Sequence, residues 1–301
     1  MGTHYHITVV GSPSTSPQLA EKIKLRLALL NQQMSTYIDQ SELNRFNRSP
    51  PGEWVHVSPE LFDVLLTSSE ISWLSNGSFD ITVAPLVDLW GFGPKQNKGL
   101  PSQSAISQQL ANVGFQHLQF NLQGRKITKN EPIHLDLSAI AKGYGVDLIA
   151  QLLRDEGFNS FMVEVGGEVY LSGLSPRDTP WRIAIEQPSE HNISVHRALK
   201  LSNKAVATSG DYRNYIELDG VRYSHTIDPR SGRPITHSLA SVTVIHDNAT
   251  TADALATAIN VMGAEAGMIL AQQQNLAIYL ISKTSAGFES QYSDAFKPYL
   301  D

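Results

Sequence analysis

His134–Asp147 reads HLDLSAIAKGYGVD. Leu135 and Leu137 alternate with Asp136, the pattern of the end of a half-buried strand. Ser138 is a good N-cap, and Ala139, Ile140 and Ala141 then begin a helix that should carry Tyr144, Leu148, Ile149 and Leu152 inward and stop at Gly157. Gly143 and Gly145 lie inside that helix, where each costs about 1 kcal/mol relative to alanine. Something there needs the backbone close. Lys142 adds a positive charge near a helix N-terminus whose free N–H groups already favour an anion. Two readings follow: a helix packed tightly on a sheet with Lys142 in solvent, or an anion-holding junction.

Outward from this junction, composition sets limits. The chain has 301 residues, 23 Lys and Arg against 29 Asp and Glu, and a formal charge of −6. The basic residues are scattered, which speaks against a nucleic-acid binder. There is no cysteine, so disulfides, thiolate catalysis and cysteine-ligated metals are excluded. No apolar run is long enough to span a membrane. Met1 leads almost at once into a strand, so the chain is either cytoplasmic or a mature portion cut free of an export signal. The length allows one large domain or two intimate lobes, and no linker separates them.

On the N-terminal side, Tyr5, Ile7 and Val9 alternate in an opening strand, and Ser16-Pro17 starts a helix to about Gln33 that buries Leu19, Ile23, Leu27 and Leu30. It delivers a polar segment from Met34 to Asn47, rich in hydrogen-bonding side chains and readable as a capped loop. Ser58-Pro59 starts a second helix closed by Gly77. Ser78-Phe79-Asp80 then leads to Leu89-Trp90-Gly91-Phe92-Gly93, whose aromatics either belong to the core or wall a flat ligand. A short helix and a hairpin turning at Gln123-Gly124 follow.

On the C-terminal side, strands from Phe161 and Val169 flank Gly166-Gly167-Glu168, and Trp181–Glu186 with His196–Leu201 should continue the sheet. A hairpin turns at Asp219-Gly220. The last long helix runs from about Thr251 to Met262 and places Asp253 and Thr257 on one face. That pair is either a hard-cation site, since Mg²⁺ prefers oxygen ligands, or an aspartate favoured by the helix dipole beside a threonine bonded back to its own helix. A shorter helix, an apolar strand from Leu276 and a closing hairpin around Ser285 to Tyr292 end the chain. Walker, GxGxxG, HExxH and GxSxG patterns are missing. Strands and helices do not alternate regularly, so the expected class is α+β with antiparallel or mixed sheets.

Eight segments taken together resemble the ApbE family of FAD:protein FMN transferases. They are Met1-Gly2-Thr3 with Tyr5, STY (35–37) with SELNRFN (41–47), SFDITVAPLVDLWGFG (78–93), LDLSAIAKGYGVD (135–147), VEVGGEV (163–169), SGDY (209–212), HTIDPRSGRP (225–234) and ADALATA (252–258). They cover nearly the whole chain in the family's order. The resemblance implies an ApbE-like, T-fold-like α+β architecture of mixed and antiparallel sheets with packed helices, one domain over residues 1–301, with the FAD site between two intimate lobes. It also implies an enzyme that takes FAD and Mg²⁺, moves FMN to a threonine hydroxyl of an acceptor flavoprotein such as a respiratory redox-complex subunit, and releases AMP. By position, Met1, Tyr37, Ser78, Phe79, Asp80, Asp136, Lys142 and the Ile227 region would contact FAD. The Ala139 carbonyl, Asp253 and Thr257 would ligate the metal, and His225 is the candidate for proton transfer. The family is typically exported, which implies a periplasmic or extracytoplasmic location. An FAD pyrophosphatase and a non-catalytic FAD-binding protein are the competing readings.

Overall fold

The computed structural model describes residues 2–11, 17–93, 99–188, 194–210, 215–218 and 221–300. Its contacts divide into two compact units. The first comprises Met1–Ala28, Lys142–Arg213 and Ser238–Asp301, and the second Leu29–Ala141 and Asn214–His237.

The first unit is built on a seven-stranded sheet in the order Tyr5–Val9, Phe161–Val165, Glu168–Ser172, Lys204–Gly210, Leu239–His246, Ala277–Thr284 and Gly287–Tyr292. Every neighbouring pair is antiparallel. Leu239–His246 is buried at seven of its eight positions, as a central strand covered on both faces must be, and its sequence LASVTVIH lacks strict alternation for that reason. One apolar cluster joins Leu19, Ile23 and Leu27 to Val146, Ile149, Leu153 and the strand residue Phe161. The central helix, Ala141–Asp155, therefore turns Val146, Ile149, Ala150 and Leu153 inward; of the expected set Ile149 is fully buried and Leu152 packs at the cluster's edge, whereas Tyr144 and Leu148 are half-buried outside it. Gly143 explains the rotation. A Cβ built there would sit 2.2 Å from the Ala249 carbonyl oxygen and 2.8 Å from Asp253 Cβ, so the glycine face must meet the helix Ala249–Met262. Trp181–Glu186 and Val195–Leu201 do not continue the sheet as expected. Val169 pairs with Val206 and fills that place, and the hairpin forms its own two-stranded sheet. Its Trp181, Ile185, Leu199 and Leu201 pack with Leu171, Ile245 and Tyr279.

In the second unit, the helices Glu42–Arg48, Pro59–Leu74, Ala84–Leu89 and Gln103–Leu110 accompany a three-stranded sheet and two short strand pairs. Ser41, Ser58 and Ser102 each cap their helix by accepting a backbone N–H. The expected strand at Leu135–Leu137 is extended chain without a ladder. Its polar groups are met another way: Leu135 donates to Asn47 Oδ1 at 2.8 Å and accepts from Asn47 Nδ2 at 3.0 Å, and Asp136 N–H donates to the Ile81 carbonyl at 2.7 Å. Nor does the helix begin at Ala139 under a Ser138 cap. Residues 138–140 form a turn, in which Asp136 Oδ1 accepts from Ser138 N–H at 2.7 Å. The Asp219-Gly220 turn lies outside the described residues, although Tyr215–Leu218 and Val221–Ser224 pair antiparallel on either side of it.

Candidate active site

In the first unit, three segments meet at one ammonium group. Lys142 Nζ lies 2.9 and 3.1 Å from the two oxygens of Asp253 and 2.8 Å from Glu168 Oε1. Asp253 and Glu168 are 1% and 3% exposed, so these are charges kept away from solvent. Burial pulls the Lys142 amine down, but the Asp253 and Glu168 carboxylates outweigh it and hold the amine above the ordinary lysine range. Burial, then the Asp253 charge, pushes the Glu168 carboxyl well up, against the pull of Lys142.

The backbone fixes the arrangement. Gly143 N–H donates to Asp253 Oδ2 at 3.0 Å. Asp147, one turn further along, accepts from Ala249 N–H and Thr250 N–H at 2.8 Å each, while Asn248 accepts from Thr251 N–H at 2.8 Å. These bonds occupy free N–H groups at the start of the Asp253 helix. Burial raises the Asp147 carboxyl, opposed by its bonds to Thr250 and Ala249. Thr257, four residues beyond Asp253, is half-buried with its hydroxyl 3.2 Å from Ser209 Oγ. The third expected ligand, Ala139, lies in the turn before the central helix and belongs to the second unit.

The second unit gathers the remaining segments. Tyr37 is 74% exposed, and the loop that presents it is tied by Asn44, whose Nδ2 donates to the carbonyls of Thr36 at 2.9 Å and Ile38 at 3.0 Å. Ser78, Phe79 and Asp80 are buried. Asp80 accepts from Thr82 N–H at 2.8 Å, the Thr82 hydroxyl at 2.7 Å and Phe115 N–H at 2.9 Å, so its carboxylate braces a turn. Burial raises that carboxyl, and the same bonds oppose the shift. Ser78 differs from Asp80: its hydroxyl is buried with no hydrogen-bond partner among the described residues. Trp90 Nε1 donates to the Gly232 carbonyl at 2.8 Å, and the Phe92 ring stands edge-on to His225 with centroids 6.4 Å apart. Ile227 is buried with Leu86, Trp90 and Ile106. Met1 lies outside the described residues, as do Asp211 and Tyr212.

Sequence reasoning missed Glu168 and Asp147. Glu168 reads as part of a Gly-Gly turn, and the signal that could have found it is an acidic residue directly after that turn. Asp147 was in view as the last residue of the junction, but nothing local says that it caps a helix a hundred residues away.

In an α+β fold, a partly buried lysine shared by two buried carboxylates beside a helix N-terminus is the kind of charged cluster found at functional sites. The ApbE family model matches residues 1–280, and the chain belongs to that family. It is 44% identical to an FAD:protein FMN transferase of Vibrio cholerae, over all of this chain and 90% of that protein, and 40% identical to one of Escherichia coli, over all of this chain and 87% of that protein. Among solved structures, flavin transferase ApbE from Vibrio cholerae superposes with a TM-score of 0.93 at 42% identity, covering all of this chain and 96% of that one. The apo flavinyl transferase ApbE of Pseudomonas stutzeri gives 0.91 at 38%, covering 100% and 94%.

Proposed function

We propose that this chain is an FAD:protein FMN transferase that moves the FMN part of FAD onto a threonine hydroxyl of an acceptor flavoprotein with release of AMP, using Mg²⁺. The likeness to relatives of that name along its whole length supports the reaction class. The observation that carries the mechanism is the buried Asp253 carboxylate with a cation already on it.

The oxygen chemistry of the donors supports Mg²⁺: Asp253 and Thr257 on one helix and the Ala139 carbonyl, as this reading assigns them, are hard oxygen ligands, and Mg²⁺ is commonly held by one or two carboxylates with waters and phosphate completing the shell. That the Lys142 ammonium is bonded to both Asp253 oxygens supports this reading, because the carboxylate already faces a positive partner. When bound, Mg²⁺ supplies charge neutralisation on the pyrophosphate.

The chain's own residues do the rest. Tyr37 offers an exposed ring to the flavin. Ser78, whose hydroxyl has no partner among the described residues, and Phe79, Asp80, Asp136 and the Ile227 region are the further FAD contacts of this reading. Lys142 adds positive charge toward the phosphates. His225 takes the proton of the acceptor hydroxyl as neutral imidazole. The family's export habit supports a location outside the cytoplasm.

The test is to incubate the protein with FAD, Mg²⁺ and an acceptor flavoprotein, and to follow AMP release alongside protein-bound flavin. AMP without bound flavin would make the chain a pyrophosphatase. Asp253→Asn should lower transfer by on the order of 10²-fold at limiting Mg²⁺, with partial recovery as Mg²⁺ is raised. Wild-type activity across that titration would remove the metal assignment. His225→Ala should lower turnover by about 10²–10⁴-fold, and near-normal turnover would leave His225 a structural residue.

A further inference from the structure

The two carboxylates on Lys142 are not equivalent. An ammonium has three donors, and Asp253 Oδ1, Asp253 Oδ2 and Glu168 Oε1 take all three. Asp253 is held independently, because Gly143 N–H also donates to its Oδ2. Glu168 shares the ammonium and also lies within hydrogen-bond reach of Asp253, and it comes from the strand pair whose turn is Gly166-Gly167. The lysine stem passes over that turn: a Cβ on Gly166 would sit 3.1 Å from Lys142 Cδ and 2.9 Å from Thr3 Cγ2, at a φ of +60°. Gly166 thus leaves room for the stem on its way to the two acids.

Building on the reading of Asp253 as a metal ligand, we propose that Lys142 is a resident cation holding Asp253 while no divalent ion is bound, and that Glu168 is the positioning residue that keeps the ammonium once such an ion displaces it. A divalent ion on Asp253 and an ammonium hydrogen-bonded to the same carboxylate repel one another strongly in a site of low dielectric. The ammonium must therefore leave Asp253, and a lysine whose side chain is only 28% exposed is costly to leave without a counter-charge. Glu168, already bonded to it, removes that cost. The ammonium stays in the site in both states, so the ion meets a carboxylate already fixed by the Gly143 N–H.

The experiment is Mn²⁺ binding to the FAD-free protein, read by electron paramagnetic resonance, with a crystal structure of the Mn²⁺-bound wild type. The expected structure has Mn²⁺ on Asp253, Lys142 Nζ beyond hydrogen-bond reach of Asp253, and the Lys142–Glu168 bond intact. Glu168→Gln should weaken Mn²⁺ binding about 10- to 100-fold, the range for a residue acting on a ligand from behind. Glu164→Gln removes a nearby charge that instead bonds Gly167 N–H and His6, and should leave the affinity within about 2-fold. Mn²⁺ on Asp253 with Lys142 still bonded to both acids would overturn the proposal, as would wild-type affinity in Glu168→Gln or equal losses in the two glutamate variants. Absence of Mn²⁺ from Asp253 in the wild type would instead overturn the metal assignment on which the proposal stands.

Discussion

Lys129 and Lys142 are both withdrawn from water, one in each unit, and their surroundings push them in opposite directions. Lys142 has two carboxylates. Lys129, 1% exposed, has only the carbonyls of Asn47 at 2.8 Å and Ile133 at 3.0 Å, with the Phe46 ring 5.3 Å away. No carboxylate pairs with it among the described residues, and burial lowers its amine to about 8. The difference separates a brace from a site. Lys129 ties the end of the Glu42–Arg48 helix to the chain ahead of Leu135, and its carbonyl partners have nothing to exchange. Lys142 is bonded to two acids at once, so it can let go of one and keep the other.

The largest expected effect comes from removing the cation of the second kind. Lys142→Met leaves Asp253 and Glu168 facing one another without a counter-charge, and breaking a buried ion pair from one side costs about 3–5 kcal/mol. The loss should fall toward the lower end, because the Lys142 side chain is 28% exposed. It should also grow with pH. Glu168 already has a raised carboxyl, so the folded variant binds more protons than the unfolded chain from the ordinary glutamate range of about 4.3 upward, and stability falls as that proton is lost. Mg²⁺ should restore stability to this variant more than to the wild type. Urea unfolding at pH 5 and pH 8, with and without Mg²⁺, checks this, and a flat pH response would show that the two acids do not feel one another.

Lys129→Met should show its pH dependence in a different window and through the wild type, not the variant. Because the folded amine stands near 8 and the unfolded one near 10.4, the unfolded wild type binds more protons between those values. Wild-type stability relative to the variant should therefore rise across pH 8 to 10 by up to about 3 kcal/mol. Below pH 8 both states carry the charge and the difference should be constant. If the gap between wild type and variant does not move with pH, Lys129 is not paying a charge penalty at all.

The same contrast explains what could be read in the sequence. Local signals were sound: Pro17 and Pro59 start helices, Gly157 stops one with a φ of +88°, and the hairpins at Phe161 and Leu276 pair nearly as expected. Asp253 and Thr257 were legible because helical spacing alone puts them on one face. What escaped was contact across long separations. Glu168 is 26 residues from Lys142 by their numbering and gains its meaning only when the strand pair closes beside the central helix. Leu239–His246 alternates only over Ser241-Val242-Thr243-Val244, since both its faces are covered. The polar run at 35–47 looked like a capped loop because the partners of Asn44 and Asn47 are backbone groups, which no residue pattern advertises.

That run gives the smallest effect and a sharp test of the brace idea. Tyr37 is exposed and Asn44 is not in a position defined by its own exposure: its amide holds the carbonyls on either side of Tyr37. If the ring stacks on the flavin, Tyr37→Ala should weaken FAD binding by about 1 kcal/mol. Asn44→Ala removes no group assigned to FAD, yet it frees the Thr36 and Ile38 carbonyls and lets the loop wander, so it should cost a similar amount. Residues acting through one another are non-additive. In the Tyr37→Ala background, Asn44→Ala should therefore change FAD affinity by less than about 0.3 kcal/mol. Titration calorimetry of the two single variants and the double variant measures the coupling. Additive losses would mean that Asn44 reaches the ligand by some route other than Tyr37, and the distinction between a brace in one unit and an exchange site in the other would then fail at this loop.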